Sequence, residues 1–460
     1  MTPRNLSSPL KDKSMSIQNK KEKVINSIID FYAELPIEPF VPGKTAIPVT
    51  TKTIGSEDLI AISESIMDMH FTSGRFSKIF EEEISKKMGA RHNALLVNSG
   101  SSANLLAVSS LCQKDVMEEF GLLYLKPGDE VITAAAGFPT TVSPIVQNNL
   151  IPRFVDIKLD NLNVGEEDII QAINHKTKAI VLAHTLGNLF RADILREICN
   201  HHNLYLIEDS CDAFGGSIFN GQEWKPVGYY GDFSTLSFYP AHHITTGEGG
   251  AVITSNGKLR RIAESIRDWG RHCWCETGCD NTCKKRFEWD FEGLPQGYDH
   301  KYIYSSLGYN LKMTDFQAAL GQSQIKKLDN FVAIRLKNWN LLNAGIKQSP
   351  LLSKYFATVS ETKNTKPSWF GFGLRCINGI KRKNVINFLE SKKIATRLLF
   401  GGNLTKQPAF KNIVYEISGS LANTDVIMND FFWVGIHPKI NEIHINFILN
   451  SLEDSLKYSL

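Results

Sequence analysis

The chain has 460 residues, 42% hydrophobic and 22% charged, an ordinary globular composition that excludes the polar, highly charged corner where disorder is expected. Lys and Arg number 51 against 48 Asp and Glu, and the basic residues are scattered, so the net charge of +3 gives a nucleic-acid surface little support. No apolar run reaches the length of a membrane-spanning helix, and the eight unevenly spaced cysteines form no disulfide framework, so a reducing cytoplasm is the expected home.

This length exceeds what one hydrophobic core usually serves and predicts a large domain plus a smaller one. Met1 to about Lys23 is lysine-rich, poor in apolar residues and without the apolar core of a signal peptide, so it reads as a flexible basic tail. Val24 to Leu35 has helical periodicity, and Pro36, Pro39, Pro42 and Pro48 mark an extended arm leading into the main domain, which makes 1–52 a tail, helix and arm. From Thr53 onward, apolar runs at Ala94 to Val97, Glu130 to Thr133, Arg153 to Val155, Ala179 to Ala183 and Leu204 to Ile207 alternate with helical stretches. Such alternation predicts an α/β domain over 53–328 with a mainly parallel sheet and a ligand site beyond the strands' carboxyl ends. A basic helical stretch past Asp329, then mixed segments such as Trp369 to Arg375 and Ile443 to Ile448, are assigned to a smaller C-terminal α+β domain, 329–460.

Two segments point to a cofactor. The strand Ala94 to Val97 runs into Asn98-Ser99-Gly100-Ser101-Ser102-Ala103 and then a helix, a small-residue turn able to offer N–H groups and hydroxyls to a phosphate, although many such turns hold Gly and Ser for steric reasons. Asp209 follows a hydrophobic strand, where a carboxylate can keep a pyridine nitrogen protonated or simply cap a turn.

The stretch Thr235-Leu236-Ser237-Phe238-Tyr239-Pro240-Ala241-His242-His243 to Gly247-Glu248-Gly249-Gly250 resembles the lysine segment of the DegT/DnrJ family of nucleotide-sugar aminotransferases. The resemblance extends from Phe71-Thr72-Ser73-Gly74-Arg75-Phe76 to the Gly308-Tyr309-Asn310 segment and on to Gly321. It implies a fold-type I pyridoxal-phosphate architecture, with a large three-layer domain and a smaller C-terminal one. By the same analogy Ser101, Ser102 and Ser237 bind the cofactor phosphate, Phe138 stacks on the ring, Asp209 pairs with its nitrogen, and Asn310 reaches a cofactor phosphate in the neighbouring subunit of a homodimer with shared active sites.

Five residues before Gly247, where that family carries its cofactor-binding lysine, stands His242. An imidazole cannot tether the cofactor covalently but can serve as a general base near neutral pH. Within the family this substitution resembles the sugar 3-dehydratases, which hold pyridoxamine phosphate noncovalently and expel the C3 hydroxyl of a nucleotide-linked 4-keto-6-deoxyhexose. His242 is the expected base and His243 its rival.

Half of the cysteines, Cys273, Cys275, Cys279 and Cys283, fall within eleven positions. Four close thiolates suit a soft metal, and spacing alone favours zinc, since it matches neither common ferredoxin pattern. The resemblance implies instead a [2Fe-2S] cluster held by Cys211, Cys273, Cys275 and Cys283, fed by a flavin-containing iron-sulfur reductase, as in the branch acting on the CDP-linked sugar. Cys279 competes for a ligand position, and the Cys211 to Cys273 interval is a few residues longer than in the relatives the resemblance points to. Cys112, Cys199 and Cys376 sit in apolar stretches and read as core. Arg397, Trp369 and His437 are open as nucleotide-sugar contacts or packing residues, and a TDP-linked substrate shares the same signals. An aminotransferase using another lysine and a zinc-stabilised binding protein are the competing readings.

Overall fold

A computed structural model describes residues 9–36, 38–275 and 281–458, with side chains from residue 16. Its strands are β1 (Leu95–Val97), β2 (Glu130–Ala134), β3 (Ile151–Val155), β4 (Thr177–Ala183), β5 (Tyr205–Asp209), β6 (Ser217–Phe219), β7 (Trp224–Pro226), β8 (Phe233–Ser237) and β9 (Gly250–Ile253). From the C-terminal third come β10 (Phe356–Thr358), β11 (Thr365–Lys366), β12 (Phe372–Cys376), β13 (Thr396–Arg397), β14 (Glu416–Ile417) and β15 (Phe431–Val434).

Among the described residues the main sheet runs β1-β9-β8-β5-β4-β2-β3-β14. Pairing is parallel from β8 through β14 and antiparallel on both sides of β9. The mainly parallel expectation therefore holds, with β9 as the reversed strand. Alternate side chains enter opposite layers: Leu96, Ile132 and Leu206 join one buried cluster, while Leu95, Val131 and Ile207 join the other. Period-two alternation with both faces apolar is what a sheet covered by helices on each side requires. This is the three-layer α/β body that the resemblance implies.

A third cluster, built round Trp339, Trp369, Phe372 and Trp433, belongs to the C-terminal body and its sheet β10-β12-β15-β13. That body is not isolated. β14 extends the main sheet beside β3, and β11 pairs with β6. The arm docks there too: Ile47 N–H donates to the Lys393 carbonyl at 2.8 Å, and Ile47 sits in the third cluster. It packs on the C-terminal body before reaching the main one.

The first helix spans Pro9–Ala33, so it begins well before the periodic stretch Val24 to Leu35. Lys, Gln and Glu are good helix formers without making an apolar stripe, and Pro at the first position fits a helix start. The segment read as flexible tail is thus helical from Pro9. No described helix is long and apolar enough to cross a membrane.

Candidate active site and metal centre

The strands β1, β5 and β8 point the same way, so the residues that follow them gather along one edge of the sheet. Val97 and Ser237 each pair with Gly250, which sets the turn after β1 beside the end of β8. Ser99 caps the helix Gly100–Leu111 by accepting from the Ser102 N–H at 3.0 Å. Gly100 is required by packing, because a Cβ there would lie 2.5 Å from the Ser237 Cβ. Ser101, Ser102 and Ser237 therefore frame one small-residue cradle at a helix N-terminus, with Ser101 donating to the Thr140 hydroxyl at 3.1 Å. Phe138 stands at the N-cap of the helix Pro139–Gln147 and is half exposed, with its ring edge-on to Phe400.

Asp209, at the end of β5, is 5% exposed and fixed from three directions. Its Oδ2 accepts from Asn104 Nδ2 at 2.8 Å and Thr141 Oγ1 at 2.7 Å, and its Oδ1 accepts from the Cys211 N–H at 3.2 Å. Thr235 in β8 orients Asn104 in turn, donating to its side-chain oxygen at 2.6 Å. The last of Asp209's three bonds is a local turn contact, while the other two aim a buried carboxylate with a tertiary network.

His242 lies in the loop after β8. Its side chain is 15% exposed, its Nδ1 is 3.5 Å from Asp212 Oδ1, and its ring is 5.3 Å from that of Phe370. Burial lowers the imidazole to about 4, with Asp209 opposing and Arg335 assisting, so the ring is an unprotonated base at neutral pH. His243 is held differently: it is 3% exposed, its Nε2 is 3.1 Å from the Ser368 carbonyl, and burial also pushes it down. Of the two, His242 is the one that Asp209 acts on.

Asp212 and Arg335 carry no sequence signal of their own. Burial and the nearby Asp209 raise the Asp212 carboxyl to about 8. Arg335 is fully buried, donates to the Phe370 carbonyl at 2.9 Å, and is lowered to about 10 by burial while Asp212 opposes. Gly187 closes this side, since a Cβ there would strike the Ser368 carbonyl, and its positive φ of 83° suits glycine.

Asn310 stands apart, exposed on the strip bridged to Asp268. The motif containing it is tied to the Phe71 to Phe76 motif by Asp315, whose Oδ1 accepts from the Gly74 N–H at 2.9 Å and the Ser77 N–H at 2.8 Å.

The four cysteines expected to hold the cluster fall in two places. Cys273, Cys275 and Cys283 converge with His300, their four ligand atoms all within 4.8 Å of one another. His300 Nδ1 is 3.4 Å from Cys273 Sγ and 3.1 Å from Cys283 Sγ. The Cys275 N–H points at Cys273 Sγ and the Cys283 N–H at Cys275 Sγ, at 3.2 and 3.3 Å. Burial would raise the Cys275 thiol, but hydrogen bonds from Thr282 and the Cys283 N–H bring it down to about 7. Cys273 and Cys275 also line a cavity of about 620 Å³ with Arg261, Glu264 and Lys312. Cys211, expected as the early ligand, is not in this group. Its thiol lies against Asp209 and Thr235, where burial and Asp209 hold it well above its ordinary value. Cys279 lies outside the described residues.

Cys199 and Cys376 are buried and Cys112 partly so; burial raises all three thiols to about 12, as inert core sulfurs require. Trp369 stacks on Trp339 at 4.5 Å and His437 Nε2 is 3.0 Å from the Pro48 carbonyl, so both are packing residues. Arg397 is exposed at the edge of the small sheet.

A buried carboxylate at the end of one strand, a serine cradle at the end of its neighbour and an imidazole in the loop beyond thus gather along one edge of the sheet. The profile of the DegT/DnrJ/EryC1/StrS aminotransferase family matches residues 52–453, and the chain belongs to that family. It is 46% identical to the lipopolysaccharide biosynthesis protein RfbH of Salmonella typhimurium over 96% of this chain and 99% of that one. It is also 46% identical to the dTDP-4-dehydro-2,6-dideoxy-D-glucose 3-dehydratase of Saccharopolyspora spinosa, over 95% of this chain and 92% of that one. Among solved structures, a GDP-4-keto-6-deoxymannose-3-dehydratase carrying a trapped PLP-glutamate geminal diamine superposes with a TM-score of 0.77 at 29% identity, covering 88% of this chain and all of the other.

Proposed function

We propose that this protein removes the C3 hydroxyl of a nucleotide-linked 4-keto-6-deoxyhexose, using pyridoxamine phosphate held without a covalent bond. The observation that carries this reading is His242, a buried imidazole held unprotonated beside Asp212 in the loop after β8, where the resemblance sets the family's lysine. The relatives described as 3-dehydratases support it.

The residues present fit the cofactor. Asp209 offers a buried carboxylate already oriented by Asn104 and Thr141, and the cradle round Gly100 has room only for backbone and small hydroxyls. Asp209 would hold the ring nitrogen, Ser101, Ser102 and Ser237 the phosphate, and the half-exposed Phe138 one ring face. When bound, pyridoxamine phosphate supplies a primary amine for the sugar ketone and an electron-withdrawing ring. His242 takes the proton whose removal drives loss of the hydroxyl. Asp212, neutral below about pH 8, faces the far nitrogen of that imidazole and can become its counter-charge when the ring is protonated.

The finer assignments belong to the same reading. The substrate is the CDP-linked 4-keto-6-deoxyglucose, with the TDP-linked sugar as the alternative that a side-by-side assay decides. The cysteine site carries a [2Fe-2S] cluster, whose one-electron chemistry suits the reduction that must follow elimination, fed by a flavin-containing iron-sulfur reductase. Three sulfurs and an imidazole form a soft donor set compatible with iron. The working unit is a homodimer in which Asn310, exposed here, reaches the neighbouring active site.

The test is His242→Asn. It should retain pyridoxamine phosphate and lose C3 deoxygenation; full activity would remove His242 as the base. An aminotransferase would instead yield a borohydride-trapped lysine and glutamate-dependent amino transfer.

A further inference from the structure

We infer that His300, through Nδ1, is a ligand of the metal centre beside Cys273, Cys275 and Cys283, and that among the described residues these four make the donor set without Cys211. Nδ1 already stands at contact distance from two of the three sulfurs, and one metal-binding atom from each residue falls inside a 4.8 Å group. Four donors that close define a first coordination sphere before any metal enters.

The loop carrying His300 is built to present it. Asp299 caps the short turn His300–Tyr302, accepting from the Lys301 N–H at 3.1 Å. Arg286, three residues past Cys283, pairs with Asp299 at 2.8 Å, and its carbonyl accepts from the His300 N–H at 2.9 Å. These contacts tie the His300 turn to the cysteine loop at its base. The imidazole is fully buried, with Trp289 5.7 Å from it, which gives the site an apolar wall. The two N–H to sulfur contacts supply the outer hydrogen bonds that orient thiolates in metal sites.

Cys211 has the opposite environment. Its N–H is spent on Asp209 and its thiol on the network round that carboxylate, so drawing it to the other three sulfurs would dismantle the pocket edge that Asp209 anchors. Three cysteines and a histidine make a donor set familiar for zinc, and histidine ligation in a two-iron cluster raises its potential relative to thiolate alone.

The choice of iron rests on the proposed function, whereas the ligand set does not. The experiment uses the full chain, purified and reconstituted without oxygen with iron and sulfide, as wild type, His300→Cys, His300→Ala and Cys211→Ser. Metal and sulfide contents are measured, and the dithionite-reduced proteins are examined by pulsed electron paramagnetic resonance for nitrogen coupled to the cluster. Wild type and Cys211→Ser should both hold a full complement of iron with directly coordinated nitrogen. His300→Cys should keep the iron, lose the nitrogen signal and show a lower reduction potential, and His300→Ala should lose most of its metal. A cluster that survives His300→Ala with unchanged spectra, or one lost in Cys211→Ser, overturns the assignment even if another variant misfolds. One zinc per chain, displaced in His300→Ala, would support the ligand set while refuting the cluster in the proposed function; no metal in any form of the wild type would refute both.

Discussion

Asp212→Asn separates two consequences of one buried carboxyl. Between pH 4 and pH 8 the folded protein keeps a proton on Asp212 that the unfolded chain releases, because burial and Asp209 raise this group from 3.8 to about 8. A raised carboxyl therefore costs stability progressively as pH rises through that window, and the cost is complete above about 8. The full rise corresponds to about 6 kcal/mol at about 1.4 kcal/mol per tenfold change, and relaxation round the ionised group should leave roughly half. Asparagine has the same shape and does not titrate. Urea denaturation of the cofactor-free protein should show Asp212→Asn close to wild type at pH 5 and more stable by about 3 kcal/mol at pH 8. Buried groups that do not face Asp212 are common to both proteins and cancel in the difference. At 3.5 Å from His242, an ionised Asp212 would attract the protonated imidazole by about 5 kcal/mol at an effective dielectric of about 20, before desolvation. Allowing for that offset, the variant should lose about 100-fold in single-turnover C3 elimination while gaining stability. A stability difference independent of pH would refute the assignment of the raised carboxyl. An unchanged turnover rate would refute its pairing with His242.

Gly100→Ala should press the helix start away from β8, because the new methyl meets Ser237 at its Cβ and Cα. The expected result is at least tenfold weaker pyridoxamine phosphate binding by absorbance titration, with about 1–3 kcal/mol of lost stability from overpacking. Trp339→Ala removes a buried ring stacked on Trp369 at an interplanar angle of 4°, and denaturation should report a loss of about 3–5 kcal/mol. A much smaller loss would mean that the C-terminal body collapses into the cavity.

Elements whose signal is local were legible in the chain. Glu130 to Thr133, Ala179 to Ala183 and Leu204 to Ile207 fall on β2, β4 and, from Tyr205, β5 because an apolar run between turns reads as a buried strand without any tertiary knowledge. The direction of β9 was not legible, since Gly250–Ile253 reads the same either way and only its neighbours decide. The segment Ile443 to Ile448 lies inside the helix Glu442–Leu456, where its buried Ile445 and Ile448 face the core at helical spacing.

The same contrast runs through the two sites. Asp209, the serine cradle and His242 each sit in a recognisable motif next to a strand end, so position along the chain already carries their chemistry. Asp212 occupies one of those motifs too, yet its relation to His242 arises from the packing of two strand-end loops 30 residues apart, which no spacing encodes. His300 is harder still: it follows Cys283 by 17 residues in a stretch without a periodic pattern, and a lone histidine there has no ligand signature. Only when Arg286 and Asp299 fold the chain back does its imidazole meet the sulfurs. Cys211 lies two residues from Asp209 along the chain, and that closeness binds its thiol into the carboxylate's own network. Motif adjacency identifies groups that share a strand end; it does not identify groups that share a metal. The ligand set must therefore be read from where loops close, and in this chain they close on His300.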